Sequence, residues 1–380
     1  MDLGYTADQE ALRALARQVL EDHAAPARLA ATEAAGDRVD RDLWAALARA
    51  GLLGTAIPEE HGGSGLGFFE LAILLEEVGR AVAPVPAHPT LVMGTLPLAA
   101  FGSPEQRRRL LPGVAAGDVM LTAALAEPRN PDPLAPGTRA AERGGKWHLE
   151  GVKLAVPAAA SSAAIVVPAR PHGGGEDRAG VAELFLVAPG DAGVALARQE
   201  STTREVQHLV TLDGAPAERL AGPGALPWLV RRATAGLCAM QVGVTERALR
   251  MTAAYTSSRE QFGRPLSAFQ AVSQRAADAY VDVEAIRLTT LAAVCRLAEG
   301  DEDDEAVAIA KFWAAEAGQR VVHAAQHLHG GVGVDVSYPL HRYFLWAKQL
   351  ELTLGGATEQ LLRIGAGLAG DAGSPSRVGA

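Results

Sequence analysis

The stretch Arg259-Glu260-Gln261-Phe262-Gly263-Arg264-Pro265-Leu266-Ser267-Ala268-Phe269-Gln270 separates two long runs of helical periodicity, residues 229–257 and 268–297. Gly263 and Pro265 punctuate it, so a tight turn is predicted between two long amphipathic helices. A guanidinium in such a turn can grip a diphosphate through paired N–H donors. Phe262 and Phe269 offer flat apolar faces beside it. Taken alone, the same residues also suit a plain helix–helix loop with a solvated arginine.

Downstream, an acidic cluster at residues 301–305 opens another helix over 306–329, which runs into His327-Leu328-His329-Gly330-Gly331-Val332-Gly333. Three glycines in four residues let a backbone approach a ligand and present N–H donors. A helix C-cap followed by a turn gives the same pattern. Helical spacing holds to about Leu368, and the Gly/Ser-rich residues 370–380 are expected to fray.

Upstream the texture differs. Residues 120–223 hold short β-branched apolar runs at 147–149, 164–167, 183–187 and 208–212. Gly144-Gly145, Gly173-Gly174-Gly175 and Asp213-Gly214 read as turns between them, so a small β domain is predicted. Residues 1–119 return to helices. Thr6 and Gln9 can form a capping box, a second helix over 42–50 ends at Gly51, and residues 57–65 form a loop. Helical spacing resumes over 69–82, and a short capped helix over 103–111 stops before Pro112. The predicted class is mainly α with a β insert. An N-terminal helical domain (1–119) precedes a β domain (120–223) and a C-terminal four-helix bundle (224–380).

Composition narrows the function. The 380 residues carry a formal charge of −9 with both signs dispersed, which disfavours nucleic-acid binding. Cys238 and Cys295 are the two cysteines and lack CxxC spacing, so neither a disulfide scaffold nor a cysteine zinc site is expected, and a reducing cytoplasm fits. Residues 1–6 have neither the basic nor the apolar region of a signal peptide. The apolar run 91–101 is too short to span a bilayer; no membrane association is expected.

In combination these stretches resemble the acyl-CoA dehydrogenase family. The motif residues Arg259, Gln261-Phe262-Gly263, Pro265 and Phe269-Gln270, then His329-Gly330-Gly331, Gly333 and Tyr338-Pro339, follow its pattern. So do Ile57-Pro58-Glu59-Glu60-His61-Gly62-Gly63, Phe101-Gly102-Ser103-Pro104-Glu105-Gln106, Ala124-Leu125-Ala126-Glu127-Pro128 and Gly151-Val152-Lys153. The likeness covers nearly the whole chain. It implies FAD, oxidation of an acyl-CoA thioester to the 2,3-enoyl product, and an electron-transfer flavoprotein as acceptor. It further implies that Arg259, Gln261 and Phe262 touch the diphosphate of a neighbouring subunit's FAD. Phe269 and Gln270 would flank the adenosine, and His327, Gly330 and Gly331 would approach the ADP moiety. The family usually has Gln where His327 stands; here Gln326 lies beside it.

The chain departs from that pattern where chemistry requires a base. A carboxylate must lie within reach of the substrate α-proton. The family's two positions for it map to Gly355 (Leu354 without a gap) and to Ala233; neither residue accepts a proton. Glu351 and Glu359 are the nearest acids and read as solvated helix residues. The flavin-ring contacts are eroded too: Pro131 and Pro133 lack N–H donors, and Leu154-Ala155-Val156-Pro157 replaces a Trp-Ile-Thr stretch. Loss at one end of the cofactor with retention at the other suits one member of a heteromer, and residues 329–335 and 338–344 are similar to those of actinobacterial α2β2 dehydrogenases of steroid side-chain CoA thioesters. A self-sufficient homotetramer with another carboxylate, and a catalytically silent scaffold or DNA-binding relative, are the alternatives.

Overall fold

The computed structural model describes residues 4–172 and 181–371. The predicted turn at Gly173–Gly175 and nearly all of the predicted frayed tail lie outside them. The chain forms two compact units, Met1–Gly236 and Leu237–Ala380.

The first unit begins with α1 (Ala7–Glu21), whose N-terminus carries the expected reciprocal cap between Thr6 and Gln9. Helices α2 (Pro26–Ala34), α3 (Arg41–Arg49) and α4 (Phe68–Ala81) follow. Twelve of the fourteen α4 residues are buried, so this helix is the centre of the helical layer. Arg13 and Arg17 of α1 reach Glu76 and Glu77 of α4 at 2.6–3.2 Å.

The apolar run after α4 is not an ordinary helix. Residues His88–Thr95 form a fully buried π-helix that leads into α5 (Leu96–Phe101). Helix α6 (Pro104–Ala116) starts at the Ser103 cap but continues through Pro112 instead of stopping before it. Pro112 faces solvent while Leu110, Leu111 and Val114 are buried. Packing of the apolar side therefore outweighs the one backbone bond that proline removes.

Strands β1 (Leu121–Ala123), β2 (Arg139–Arg143), β3 (Lys146–Pro157), β4 (Ala164–His172), β5 (Glu183–Val187), β6 (Val194–Glu200) and β7 (Val206–Ala221) follow. All four predicted strands lie within this set; β1, β2 and β6 were not anticipated. Strand β5 pairs with both β7 and β4, so β4-β2-β3-β7-β5 closes on itself, with β1 and β6 attached outside. Leu149, Val156, Ile165, Val167, Phe185, Val210 and Leu212 belong to one buried cluster of this ring. Gly144 and Gly145, both at positive φ, make the two-residue β2–β3 turn. Asp213-Gly214 is not a turn: β7 runs through it, and Gly214 (φ 62°) is the extra residue of a bulge opposite Leu149 and Glu150.

Helix α7 (Ala225–Ser258) crosses from the first unit to the second. The second unit continues with the short strands β8 (Glu260–Gln261) and β9 (Arg264–Pro265), then α8 (Gln270–Ala298), α9 (Asp304–His329), α10 (Leu340–Leu352) and α11 (Ala357–Asp371). Asp303 caps α9 through the Ala306 N–H, which accounts for the acidic cluster at its start.

Candidate functional site

The turn predicted from Arg259–Gln270 is a β-hairpin. Arg259 is held at both ends of its backbone: its N–H donates to Tyr255 O at 2.8 Å, and its carbonyl accepts from Leu266 N at 2.8 Å. β8 and β9 pair antiparallel, and Phe262 (φ 55°) and Gly263 (φ 79°) form the two-residue connection. Positive φ at both centres is the requirement of a hairpin turn. Phenylalanine tolerates it at a cost of about 1 kcal/mol. The strain presents a side chain that is 92% exposed, an unusual place for a large apolar ring. Phe262 meets Phe269 edge-on at 6.2 Å, and the Arg264 guanidinium lies 4.0 Å over the Phe269 ring. Arg259, Gln261 and Gln270 are exposed, and Arg259 makes no ion pair among the described residues.

The glycine stretch caps α9 and forms a 3₁₀ turn over Gly330–Val334. Gly330 takes φ 62° and ψ −139°, and a side chain at Gly330 or Gly331 would meet nothing within 4 Å. Their backbone is therefore bare toward solvent, as close approach of a ligand demands. Gly333 serves packing instead, since a Cβ there would lie 2.7 Å from the Gln326 carbonyl. His327 is exposed beside the turn.

The two positions at which the family resemblance leads one to expect a base have different surroundings. Ala233 is fully buried in α7. Its carbonyl accepts a 2.8 Å hydrogen bond from His88 Nε2 of the π-helix, and Gly236 also packs against the His88 ring. Burial keeps that imidazole neutral, pushing its pKa down to about 4. Gly355 sits at φ 97° and Leu354 at φ 59° in the turn before α11. A Cβ at Gly355 would fall 2.9 Å from Gln360 Nε2. The neighbouring acids are engaged locally. Glu351 pairs with Lys348 at 2.6 Å, and Glu359 accepts from the Gly356 N–H at 3.1 Å. Lys311, buried beneath this turn, donates to the Leu350 and Glu351 carbonyls at the end of α10.

Between β1 and β2, the loop folds onto its own acid. Glu127 accepts from the backbone N–H groups of Gly137 and Thr138, the Thr138 hydroxyl, and Lys153 Nζ at 2.7 Å. Lys153 has no exposed side-chain surface. Its charge, with desolvation opposing, holds Glu127 down to about 2, while burial lowers Lys153 to about 8. Asn130 donates to Glu127 and to Ala135 O, and its own oxygen accepts from Asp132 N. These loop donors are consumed inside the loop. Farther along β3, Ala155 adopts φ 49° and its N–H goes to Gln199.

Comparison with known proteins agrees with the order of these features. The acyl-CoA dehydrogenase N-terminal domain matches residues 6–118, and the acyl-CoA dehydrogenase C-terminal domain matches residues 230–368. This chain belongs to the acyl-CoA dehydrogenase family. It is 44% identical over 344 residues to acyl-CoA dehydrogenase FadE27 of Mycobacterium tuberculosis, covering 87% of this chain and 89% of that one. Among solved structures, a variant of the Tcur3481–Tcur3483 steroid ACAD is 48% identical with TM-score 0.92, covering 97% of this chain and 99% of that one. The ChsE4–ChsE5 complex from Mycobacterium tuberculosis is 40% identical with TM-score 0.92, covering 99% and 100%.

Membership makes the chain an oxidoreductase-family protein with a flavin as the expected cofactor. The residues expected from the family resemblance to meet the dinucleotide have surroundings compatible with such a group. Arg259 has an exposed guanidinium, Phe262 a bare ring and Gly330–Gly331 an open backbone, all within the Leu237–Ala380 unit. Sequence reading missed the His88 contact with Ala233, the self-satisfied Glu127 loop and Lys311. Only the Glu127-Pro128 and Gly151-Val152-Lys153 stretches signalled any of these beforehand. No described helix is long and apolar enough to cross a membrane.

Proposed function

We propose that this chain is the base-deficient partner in an FAD-dependent, heteromeric acyl-CoA dehydrogenase. The single observation behind this reading is that both family positions for the proton-abstracting carboxylate, Ala233 and Gly355, hold residues without a basic atom. One is sealed by His88; the other is in a left-handed turn. A homologous subunit would supply the carboxylate in an α2β2 assembly, a reading supported by the likeness to the two-component ChsE4–ChsE5 and Tcur3481–Tcur3483 proteins. FAD, when bound, supplies the acceptor for the hydride leaving the β-carbon of the acyl-CoA. In this chain Arg259, Gln261 and Phe262 would touch its diphosphate. Phe269 and Gln270 would flank the adenosine, and His327 with Gly330 and Gly331 would approach the ADP moiety.

The 48% identity to the Tcur3481–Tcur3483 steroid ACAD favours a steroid side-chain CoA thioester as substrate. An electron-transfer flavoprotein would receive the electrons, and the cytoplasm would be the compartment. Residues 1–119, 120–223 and 224–380 are proposed as the three functional segments. The test is co-expression with a homologous subunit that carries a family base residue, followed by native mass and flavin count. One FAD per pair of chains is expected. Two FAD per pair, or no association with any such subunit, would overturn the assignment.

A further inference from the structure

The hairpin at Arg259 and the turn at Gly330 are 71 positions apart in sequence, as the residue numbers give, yet they share one support. Tyr255 lies on α7, and its carbonyl receives the Arg259 N–H at 2.8 Å. Its ring stacks on His329, with centroids 4.4 Å apart and planes 22° apart. His329 is 3% exposed and is the residue immediately before Gly330. On the other side of the glycine turn stands Tyr338, with its ring 5.2 Å from His329 and 6.3 Å from Tyr255.

The hydrogen bonds fix the imidazole in one orientation. His329 Nδ1 lies 2.8 Å from the Ala325 carbonyl, which can only accept, so Nδ1 carries the proton and donates. In the neutral ring Nε2 is then an acceptor, and the Tyr338 hydroxyl donates to it at 3.2 Å. Burial lowers the His329 pKa, in keeping with the neutral form. The Gly330–Val334 turn is thus pinned at its first residue by His329 and beyond its last by Tyr338. Tyr255 ties both to the root of the hairpin.

We infer that the Tyr255–His329–Tyr338 stack is a positioning device that sets the separation between the Arg259 hairpin and the Gly330–Gly331 backbone, so that both engage one dinucleotide. This rests on the proposed FAD contacts of those two segments. Neither segment could hold this spacing alone, because each is a solvent-exposed turn on its own helix end. The stacked ring, not the phenol, is the required part of Tyr255; the hydroxyl is the required part of Tyr338.

The test measures FAD release from the flavin-loaded protein, assembled with its partner, by recovery of flavin fluorescence on dilution. Loss of an aromatic pair is expected to speed release by about three- to tenfold in Tyr255→Leu. Tyr255→Phe, which keeps the stack, should match the parent, and Tyr338→Phe should speed release a few-fold. Tyr255→Leu combined with Arg259→Ala should be less than additive, because the stack acts through the hairpin. A role in folding alone would lower thermal stability without that coupling. If Arg259→Ala speeds release while Tyr255→Leu and Tyr338→Phe do not, or if the two effects simply add, the inference is refuted and the FAD contacts stand. If Arg259→Ala has no effect on release, the proposed contacts fall, and the inference with them. Tyr338→Phe removes one oxygen atom, so it keeps the test decisive even where Tyr255→Leu does not fold.

Discussion

Substituting Ala233→Glu would appear to reinstate a base in one step, yet the surroundings predict a folding defect and no activity. Ala233 has no exposed surface, and its carbonyl is hydrogen-bonded to His88. His88 is itself buried and also fills the space against Gly236. A glutamate side chain must displace the imidazole or the neighbouring apolar groups, an overpacking cost of about 1–3 kcal/mol. Its carboxyl would have no water and would protonate, adding about 1–3 kcal/mol for an incompletely bonded polar group. The sum is about 4 kcal/mol, or a fall in Tm of roughly 8–16 °C for a unit of this size. The assays are differential scanning calorimetry and dye-linked dehydrogenation by the variant on its own. A melting temperature within a few degrees of the parent, together with turnover, would show that the position lines an open pocket and refute the reasoning.

Gly355→Glu places a side chain at φ 97° beside Gln360; a loss of about 1–2 kcal/mol in chemical denaturation and no gain in turnover are expected. Glu127 titrates at about 2 when folded against 4.5 when unfolded. Its contribution of about 3 kcal/mol is therefore complete above pH ~4.5 and lost as pH falls toward 2. Lys153→Met should weaken that dependence in acid-denaturation curves, with the Gly137 and Thr138 donors preserving the remainder. Lys311 titrates at about 8 when folded against 10.5 when unfolded, so the unfolded chain binds more protons between those pH values and stability gains from rising pH there. Lys311→Met should reduce the slope of stability against pH by about 1.4 kcal/mol per pH unit in that window, measured by urea denaturation.

The long helices and the turn between two of them were legible because their signals are local, although its β-hairpin form was not. Thr6 with Gln9, Asp303, and Gly263 with Pro265 each act within a few residues. The π-helix at His88–Thr95 was hidden because its apolar run is buried on every side and has no period to read. Strand β2, Arg139–Arg143, has no alternation of apolar residues, and Gly214 gives the same signal in a bulge as in a turn. Pro112 stops a helix by local rule, yet buried Leu111 and Val114 carry it onward. The proposed vacancy at Ala233 and Gly355 was an expectation drawn from the family pattern. Its physical enforcement by His88 and by left-handed backbone could not, since both depend on contacts distant in sequence. The same holds for the Glu127–Lys153 pair and for the stack of Tyr255 on His329.

The most direct measurement is the FAD content and dye-linked dehydrogenation rate of this chain purified without any other subunit. The account predicts a folded protein that retains no flavin through gel filtration and turns over no acyl-CoA, gaining both on addition of a base-bearing homologue. Stoichiometric FAD with turnover in the solitary chain would contradict it.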